Sequence, residues 1–190
     1  MHIQINHVIL HCSKEQKVIM AKIILITGGQ RSGKSSYAEQ LALKLSPNPI
    51  YLATSRIWDE DFRKRVEIHQ ARRGSEWTNI EENLYLSNHP LKNRTTLIDC
   101  LTLWTTNWYF DHQDWTINQT SSALQQELDK LKLIEDANII LVTNEIGMGG
   151  TSANEVQRRF TDLLGWTNQH AAQLADEVIF MVSGIPVKIK

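Results

Sequence analysis

Apolar residues in this chain come in short unbroken runs, separated by longer stretches where they recur every three or four positions. The β-branched run Ile23–Ile26 is followed by Ile50–Thr54 (IYLAT), Leu97–Leu103 (LIDCLTL), Asn138–Thr143 (NIILVT) and Glu177–Ser183. Each has the length of a strand buried on both faces. Between the first two, Tyr37, Ala38, Leu41, Ala42 and Leu45 follow the helix period, and Ser46-Pro47-Asn48-Pro49 ends it. Arg56–Arg73 reads as a charged amphipathic helix with Ile57, Phe62, Val66 and His69 along one side, stopped by Gly74. Glu60/Lys64 and Asp61/Arg65 are its i,i+4 ion pairs. Trp77–Leu86 fits strand or helix equally. Trp104–Phe110 continues as helix, and Asp111–Asn118 is polar enough for a loop. Leu124, Leu128, Leu131 and Ile134 mark a helix over 120–135, and a longer one spans about Asn154–Leu174. Gly184-Ile185-Pro186 turns the chain into VKIK, an edge strand where proline is tolerated.

Strands alternating with helices predict an α/β fold: a mostly parallel sheet flanked by helices, joined by right-handed βαβ units. There is no repeat, low-complexity segment or linker, so residues 20–190 are expected to form a single domain. Residues 1–19 (MHIQINHVILHCSKEQKVI) stand apart. Their apolar patch, Val8–Leu10, lacks the basic flank and cleavage site of a signal peptide. We expect Met20 to be the natural start and 1–19 an extension outside the domain.

Composition narrows the function classes. A formal net charge of −1 gives no global attraction to nucleic acid or acidic membranes. No apolar run approaches the roughly 20 residues of a membrane span. Cys12 and Cys100 are too few for a disulfide framework, which suits a reducing compartment, and a cytoplasmic protein is expected.

The chemistry concentrates where the first strand ends. Gly28-Gly29-Gln30-Arg31-Ser32-Gly33-Lys34-Ser35 fits G-x-x-x-x-G-K-[ST], with a strand before it and a helical pattern after it. Glycine at 28 and 33 permits backbone angles and a close approach that a Cβ would block. Successive N–H groups then converge on phosphate oxygens at a helix N-terminus. Lys34 can reach the β/γ-phosphates, and the Ser35 hydroxyl can ligate Mg²⁺. A nucleoside triphosphate site follows. Asp99, near the end of its apolar run, has the place of a Mg²⁺-holding acid, but equally that of a strand-end or helix-capping aspartate. His69 lies four residues after Arg65 and three and four before Arg72 and Arg73, so one helix face groups an imidazole with guanidinium groups. That face suits a histidine that attacks phosphorus while arginines neutralise a triphosphate. By itself the pattern is read more simply as a solvated basic face.

Together these segments closely resemble the bifunctional adenosylcobinamide kinase / adenosylcobinamide-phosphate guanylyltransferases of cobalamin biosynthesis. The matching signatures are ITGGQRSGKSSYAE (26–39), YLATS (51–55), R-V-x-x-H-x-x-x-R (65–73), WTNIE (77–81), LIDCLTLW (97–104), VTNEIGMG (142–149), NQxxAxxAD (168–176) and VSGIPVKIK (182–190). They cover essentially everything after Met20. The resemblance implies RecA-like P-loop NTPase architecture, a homotrimer, and two reactions at one nucleotide site, with Mg²⁺ as cofactor. First, the aminopropanol hydroxyl of adenosylcobinamide takes the γ-phosphate of ATP or GTP. Then the resulting phosphate takes GMP from the enzyme, giving adenosylcobinamide-GDP. The match to R-V-x-x-H puts the GMP-carrying role on His69. By the same carry-over Gly28–Ser35 hold the phosphates, Ala53, Thr54 and Ser55 touch the nucleotide, and Gln70, Ala71, Arg72, Arg73, Glu81 and Asp99 complete the site. Ser35 and Asp99 are the expected Mg²⁺ ligands.

The chain departs from the family where an I-V-P run and F-R-D are usual. It reads Gly150-Thr151-Ser152-Ala153 and Phe160-Thr161-Asp162 instead. Trp104 and Trp108 fit core or interface packing better than stacking on a corrin ring. A homotrimer would cover part of the tryptophan-rich LTLWTTNWYF. Two rival readings are a plain small-molecule kinase, which would not need His69 and its arginines, and a nucleotide-dependent regulator, which would need a partner groove that a near-neutral chain does not advertise.

Overall fold

Alternate residues of each apolar run point to opposite faces of one sheet, and helices cover both faces. The computed structural model describes residues 19–57, 60, 63, 64, 67 and 73–190. Within them the strands are β1 (Lys22–Gly28), β2 (Ile50–Ala53), β3 (Thr78–Glu81), β4 (Thr95–Asp99), β5 (Asn138–Val142), β6 (Glu177–Val182) and β7 (Ile185–Lys188). The helices are α1 (Lys34–Leu45), α2 (Leu101–Asp111), α3 (Ile117–Lys132) and α4 (Glu155–Leu174). The strands form one seven-stranded sheet in the order β3-β2-β4-β5-β1-β6-β7. All pairings are parallel except β6 with β7.

One face carries Ile23, Leu25, Leu52, Ile98, Ile139 and Leu141, and packs against Trp104 and Trp108 of α2, Leu124, Leu128 and Leu131 of α3, and Leu163 and Ala171 of α4. The other carries Ile24, Ile26, Tyr51, Leu97, Ile140 and Val142, against Ala38 and Ala42 of α1. This is the period-two pattern of strands buried on both sides. Helix α3 starts at a capping box. The Thr116 hydroxyl accepts the Gln119 N–H, and the Gln119 side chain accepts the Thr116 N–H.

The expected α/β sheet is the one observed, with two corrections to element boundaries and one open reading resolved. The run Leu97–Leu103 is not all strand: β4 ends at Asp99 and Leu101 already opens α2. Leu101 and Trp104 are both fully buried, so the first turn of α2 is as apolar as the strand before it and hides the boundary. The loop expected over Asp111–Asn118 is shorter, since α2 runs to Asp111 and α3 begins at Ile117. The ambiguous Trp77–Leu86 contains the short edge strand β3, then a 3₁₀ turn at Leu86–Asn88. The helix expected over Arg56–Arg73 falls largely outside the described residues. So do residues 1–18 and the site residues His69, Gln70, Ala71 and Arg72. At the far edge, Ser183 and Gly184 both have positive φ (51° and 83°) and form the two-residue turn into β7, which contains Pro186. That turn geometry is the one that suits strand twist in a hairpin.

Parallel register brings the C-terminal ends of β1–β6 to one edge of the sheet. Ala53 pairs with Glu81 on one side and Asp99 on the other, Asp99 with Val142, and Gly28 with Met181. Open α/β sheets bind their ligands at such an edge.

Candidate phosphate and metal site

The loop between β1 and α1 is held from both sides by backbone. Glu145 N–H donates to Gly28 O at 3.1 Å, and Gly184 N–H donates to Ser32 O at 3.0 Å. Gly28 has φ 150°, and a Cβ there would meet Met181 O at 2.5 Å and Ser32 Oγ at 2.9 Å. Gly33, immediately before α1, has φ 94° and lies against Gly184. Gly29, Gln30 and Arg31 are exposed and Arg31 adopts φ 57°, so the mouth of the loop is open. We expect Gly28→Ala to lower stability by about 2 kcal/mol through strain and overpacking. That corresponds to roughly 4–8 °C in Tm for a domain this size. Gly29→Ala, with nothing within 4 Å of its added Cβ, should leave Tm unchanged. Paired thermal melts check the contrast.

Lys34 is the first residue of α1 and is 7% exposed. Its Nζ donates to Gly29 O at 2.6 Å and lies 3.4 Å from Ser32 Oγ. Burial lowers its pKa from the ordinary lysine value, against the opposing pull of Cys100 and Asp99. Ser35 is half-buried beside it.

Asp99 ends β4, and its Oδ2 accepts the Tyr51 hydroxyl at 2.8 Å. Burial, then the neighbouring Asp99 carboxylate, push the Tyr51 pKa far up, so the phenol stays a donor. The Arg73 guanidinium carbon sits 3.6 Å from the Tyr51 ring centroid, and Trp77 meets that ring edge-on at 5.8 Å. Two Arg73 donors, Nε and Nη1, are buried without a partner. Next to Asp99, in a cis peptide with it, Cys100 is buried, and burial with Asp99 pushes its thiol up to about 12. It is a packed thiol, not a nucleophile.

The expected nucleotide contacts divide. Ala53 and Ser55 are half-buried at the end of β2, and Glu81 is exposed at the end of β3. Thr54 is fully buried and its hydroxyl is spent within the protein. It accepts Cys100 N–H and donates to Cys100 O, both at 2.8 Å. Sequence reasoning passed over several residues that build this edge. Asn107 on α2 donates to Thr54 O at 2.7 Å and to Asn83 O at 3.1 Å. The Thr102 hydroxyl accepts Asn144 N–H at 2.8 Å, while Asn168 accepts the Thr143 hydroxyl at 2.7 Å and donates to Asn144 O at 3.1 Å. Only NQ and TN in the quoted signatures hinted at the last pair. Trp104 and Trp108 point inward, each indole N–H donating to Leu84 O. The tryptophans of LTLWTTNWYF are therefore packed within the subunit, and Phe110 is left exposed.

The departure at Gly150–Ala153 has a local structure of its own. After the 3₁₀ turn Gly147–Gly149, Gly150 takes φ 91°, and Asn154 caps α4 by accepting Gln157 N–H at 3.1 Å. A separate cavity of about 390 Å³ opens among the end of α2, the 112–116 loop and the starts of α3 and α4, lined by Tyr109, Phe110, His112, Trp115, Val156 and Arg159 among others.

A hard cation fits the site by donor chemistry. Ser35 and Asp99 offer oxygen only, and the described residues hold no group of three or more His, Cys, Asp or Glu able to cage a metal. Mg²⁺ with phosphates is held in this sparse way, by one or two protein oxygens plus water. Among the described residues no helix is long and apolar enough to cross a membrane.

Residues 24–189 match the family model described as cobinamide kinase / cobinamide phosphate guanyltransferase. The bifunctional adenosylcobalamin biosynthesis protein CobP of Pseudomonas aeruginosa is 37% identical over 170 residues, covering 87% of this chain and 96% of that one. The proteins of the same description named CobU are 37% identical over 183 residues in Escherichia coli and 36% over 181 in Salmonella typhimurium, each covering 88% of this chain and 99% of its own. Among solved structures, an ATPase domain superposes with a TM-score of 0.41 at 18% identity, covering 84% of this chain and 68% of that one. The flagellar accessory protein FlaH from Methanocaldococcus jannaschii gives 0.45 at 14%, covering 91% and 80%. Those two likenesses are loose. The family match, by contrast, spans nearly all the described sheet and its phosphate loop, and this chain belongs to the cobinamide kinase / cobinamide phosphate guanyltransferase family.

Proposed function

We propose that this enzyme phosphorylates adenosylcobinamide and then transfers GMP to the product, using the single phosphate loop 28–35 for both nucleotides. The observation that carries the reading is the buried Lys34 set in a strand-to-helix loop beside the Asp99 end of β4, in a chain of this family.

In the first reaction the aminopropanol hydroxyl attacks the γ-phosphorus of ATP or GTP. A P–O bond forms, the bond to the β-phosphate oxygen breaks, the nucleoside diphosphate leaves, and the hydroxyl proton passes to solvent. Loop N–H groups and Lys34 balance the charge on the transferring group. In the second, an imidazole nitrogen of His69 attacks the α-phosphorus of GTP. A P–N bond forms, pyrophosphate leaves and the imidazole proton is lost. A phosphate oxygen of adenosylcobinamide phosphate then attacks the same phosphorus; the P–N bond breaks, and the leaving nitrogen takes up a proton from solvent to return neutral imidazole. Splitting one phosphate-on-phosphate attack into two displacements is the usual gain of a covalent carrier. Arg73, stacked on the Tyr51 ring whose hydroxyl holds Asp99, would meet a phosphate with its unpartnered donors. Ser35 and Asp99 would hold Mg²⁺, which when bound neutralises phosphate oxygens.

Purified protein given adenosylcobinamide, Mg²⁺ and γ-labelled ATP or GTP is expected to label the corrinoid. Adding α-labelled GTP should then yield labelled adenosylcobinamide-GDP and pyrophosphate. Phosphorylation with no GMP transfer at any GTP concentration would reduce the protein to a simple kinase. Absence of both products would end this reading.

A further inference from the structure

Three side chains around the candidate metal site meet on one that is not among the expected nucleotide contacts. Tyr51 is the second residue of β2 and is 4% exposed. In the parallel register it pairs with Leu97, so Asp99, two residues further along β4, lies on the same face of the sheet. That is the face covered by α1, the helix that begins with Lys34 and Ser35. The phenol bridges this diagonal with a 2.8 Å hydrogen bond to Asp99 Oδ2, and the ring plane is set by the edge-on contact with Trp77 at 81°. On the ring lies the Arg73 guanidinium, 3.6 Å from its centroid, with Nε and Nη1 buried and unpaired.

We propose that Tyr51 is the positioning residue of the nucleotide–metal site: its hydroxyl orients the Asp99 carboxylate toward the cation, and its ring seats Arg73 for a phosphate. The hydroxyl occupies one carboxylate oxygen, so the other is the one presented to the metal or its water. Hydrogen-bonded partners behind a metal ligand fix its orientation in this way. Stacking on the ring holds a guanidinium flat and leaves its in-plane N–H groups to reach an anion. A buried tyrosine that merely satisfied its own hydroxyl would need neither the arginine nor that arginine's unpaired donors.

The inference rests on the reading of Asp99 as a metal ligand and Arg73 as a phosphate ligand, and its test separates the two. The full-length protein is measured for Mn²⁺ affinity in the presence of GTP, by electron paramagnetic resonance. Its affinity for a fluorescent GTP analogue is measured in EDTA. Tyr51→Phe keeps the ring and loses the hydrogen bond. It should weaken Mn²⁺ about tenfold, and change analogue affinity in EDTA by less than about twofold, since the cation–π contact is retained. Tyr51→Leu should lose Mn²⁺ affinity to the same degree and in addition weaken the analogue about fivefold, the scale of a lost cation–π contact. Arg73→Gln should give that same fivefold, and the double variant Arg73→Gln/Tyr51→Leu no more than either alone, as expected for residues acting as one unit. Circular dichroism melts identify any variant that fails to fold, and the phenylalanine variant is the one least exposed to that outcome. Wild-type Mn²⁺ affinity in Tyr51→Phe, alongside a loss in Asp99→Asn, overturns the positioning role alone. Wild-type Mn²⁺ affinity in Asp99→Asn overturns the metal reading and the inference with it.

Discussion

His69→Ala is expected to take up no GMP from α-labelled GTP and to make no adenosylcobinamide-GDP, while still phosphorylating adenosylcobinamide to within about threefold of the unaltered protein. The asymmetry comes from the chemistry: attack by a substrate hydroxyl on a γ-phosphorus does not involve the imidazole, whereas the guanylyl carrier is the imidazole itself. The label on unaltered protein should be a phosphoramidate, released by mild acid and stable to base, and should map between Arg65 and Arg72. His89 and His112 supply internal controls. His89 Nε2 is paired with Glu82 at 3.1 Å, and His112 Nδ1 faces Trp108 O at 3.1 Å in an aromatic cluster with Trp108 and Trp115. Neither belongs to the Arg65, Arg72 and Arg73 grouping that the sequence sets around His69, and replacing either should leave labelling intact. GMP uptake at the unaltered rate by His69→Ala would move the carrier elsewhere.

Lys34→Ala should remove both activities together, by about a hundredfold to a thousandfold, the loss typical of deleting one preorganised donor to a developing charge. One loop serves both nucleotides on the proposed mechanism, so no variant at Lys34 should separate the two reactions. The same substitution should not lower Tm. Lys34 is a buried cation whose burial opposes its charge, and the partners its ammonium reaches are a carbonyl and a hydroxyl of its own loop. Activity lost with stability kept would mark a functional lysine. One activity surviving would mean two separate nucleotide sites.

The reach of the sequence follows from the distance over which each feature is encoded. Ile23–Ile26 and Asn138–Thr143 are legible because a strand buried on both faces needs an unbroken apolar run, and the phosphate loop because its glycines and lysine are contiguous. The end of β4 is not legible. Leu101 and Trp104 are buried as deeply as Leu97 and Ile98, so burial alone cannot mark where strand gives way to helix. Tyr51 is hidden for a different reason. Inside IYLAT it reads as one more apolar strand residue, and its partner Asp99 is 48 positions away, brought to it only by parallel register. Thr54 is expected as a nucleotide contact on the family resemblance, but its hydroxyl is turned to Cys100 by the same register.

The hairpin of β6 and β7 sets how this protein can be handled. Its turn touches the phosphate loop through Gly184, but its last residues travel the length of the sheet the other way. Ile189 N–H donates to Val178 O at 2.9 Å, and the Lys190 ammonium reaches Ala172 O and Gln173 O at the C-terminal end of α4. A linker joined after Lys190 therefore leaves from the edge opposite the phosphate loop. Protein tethered to a sensor surface or bead by that route would face its nucleotide edge outward, toward solution, with the loop unobstructed.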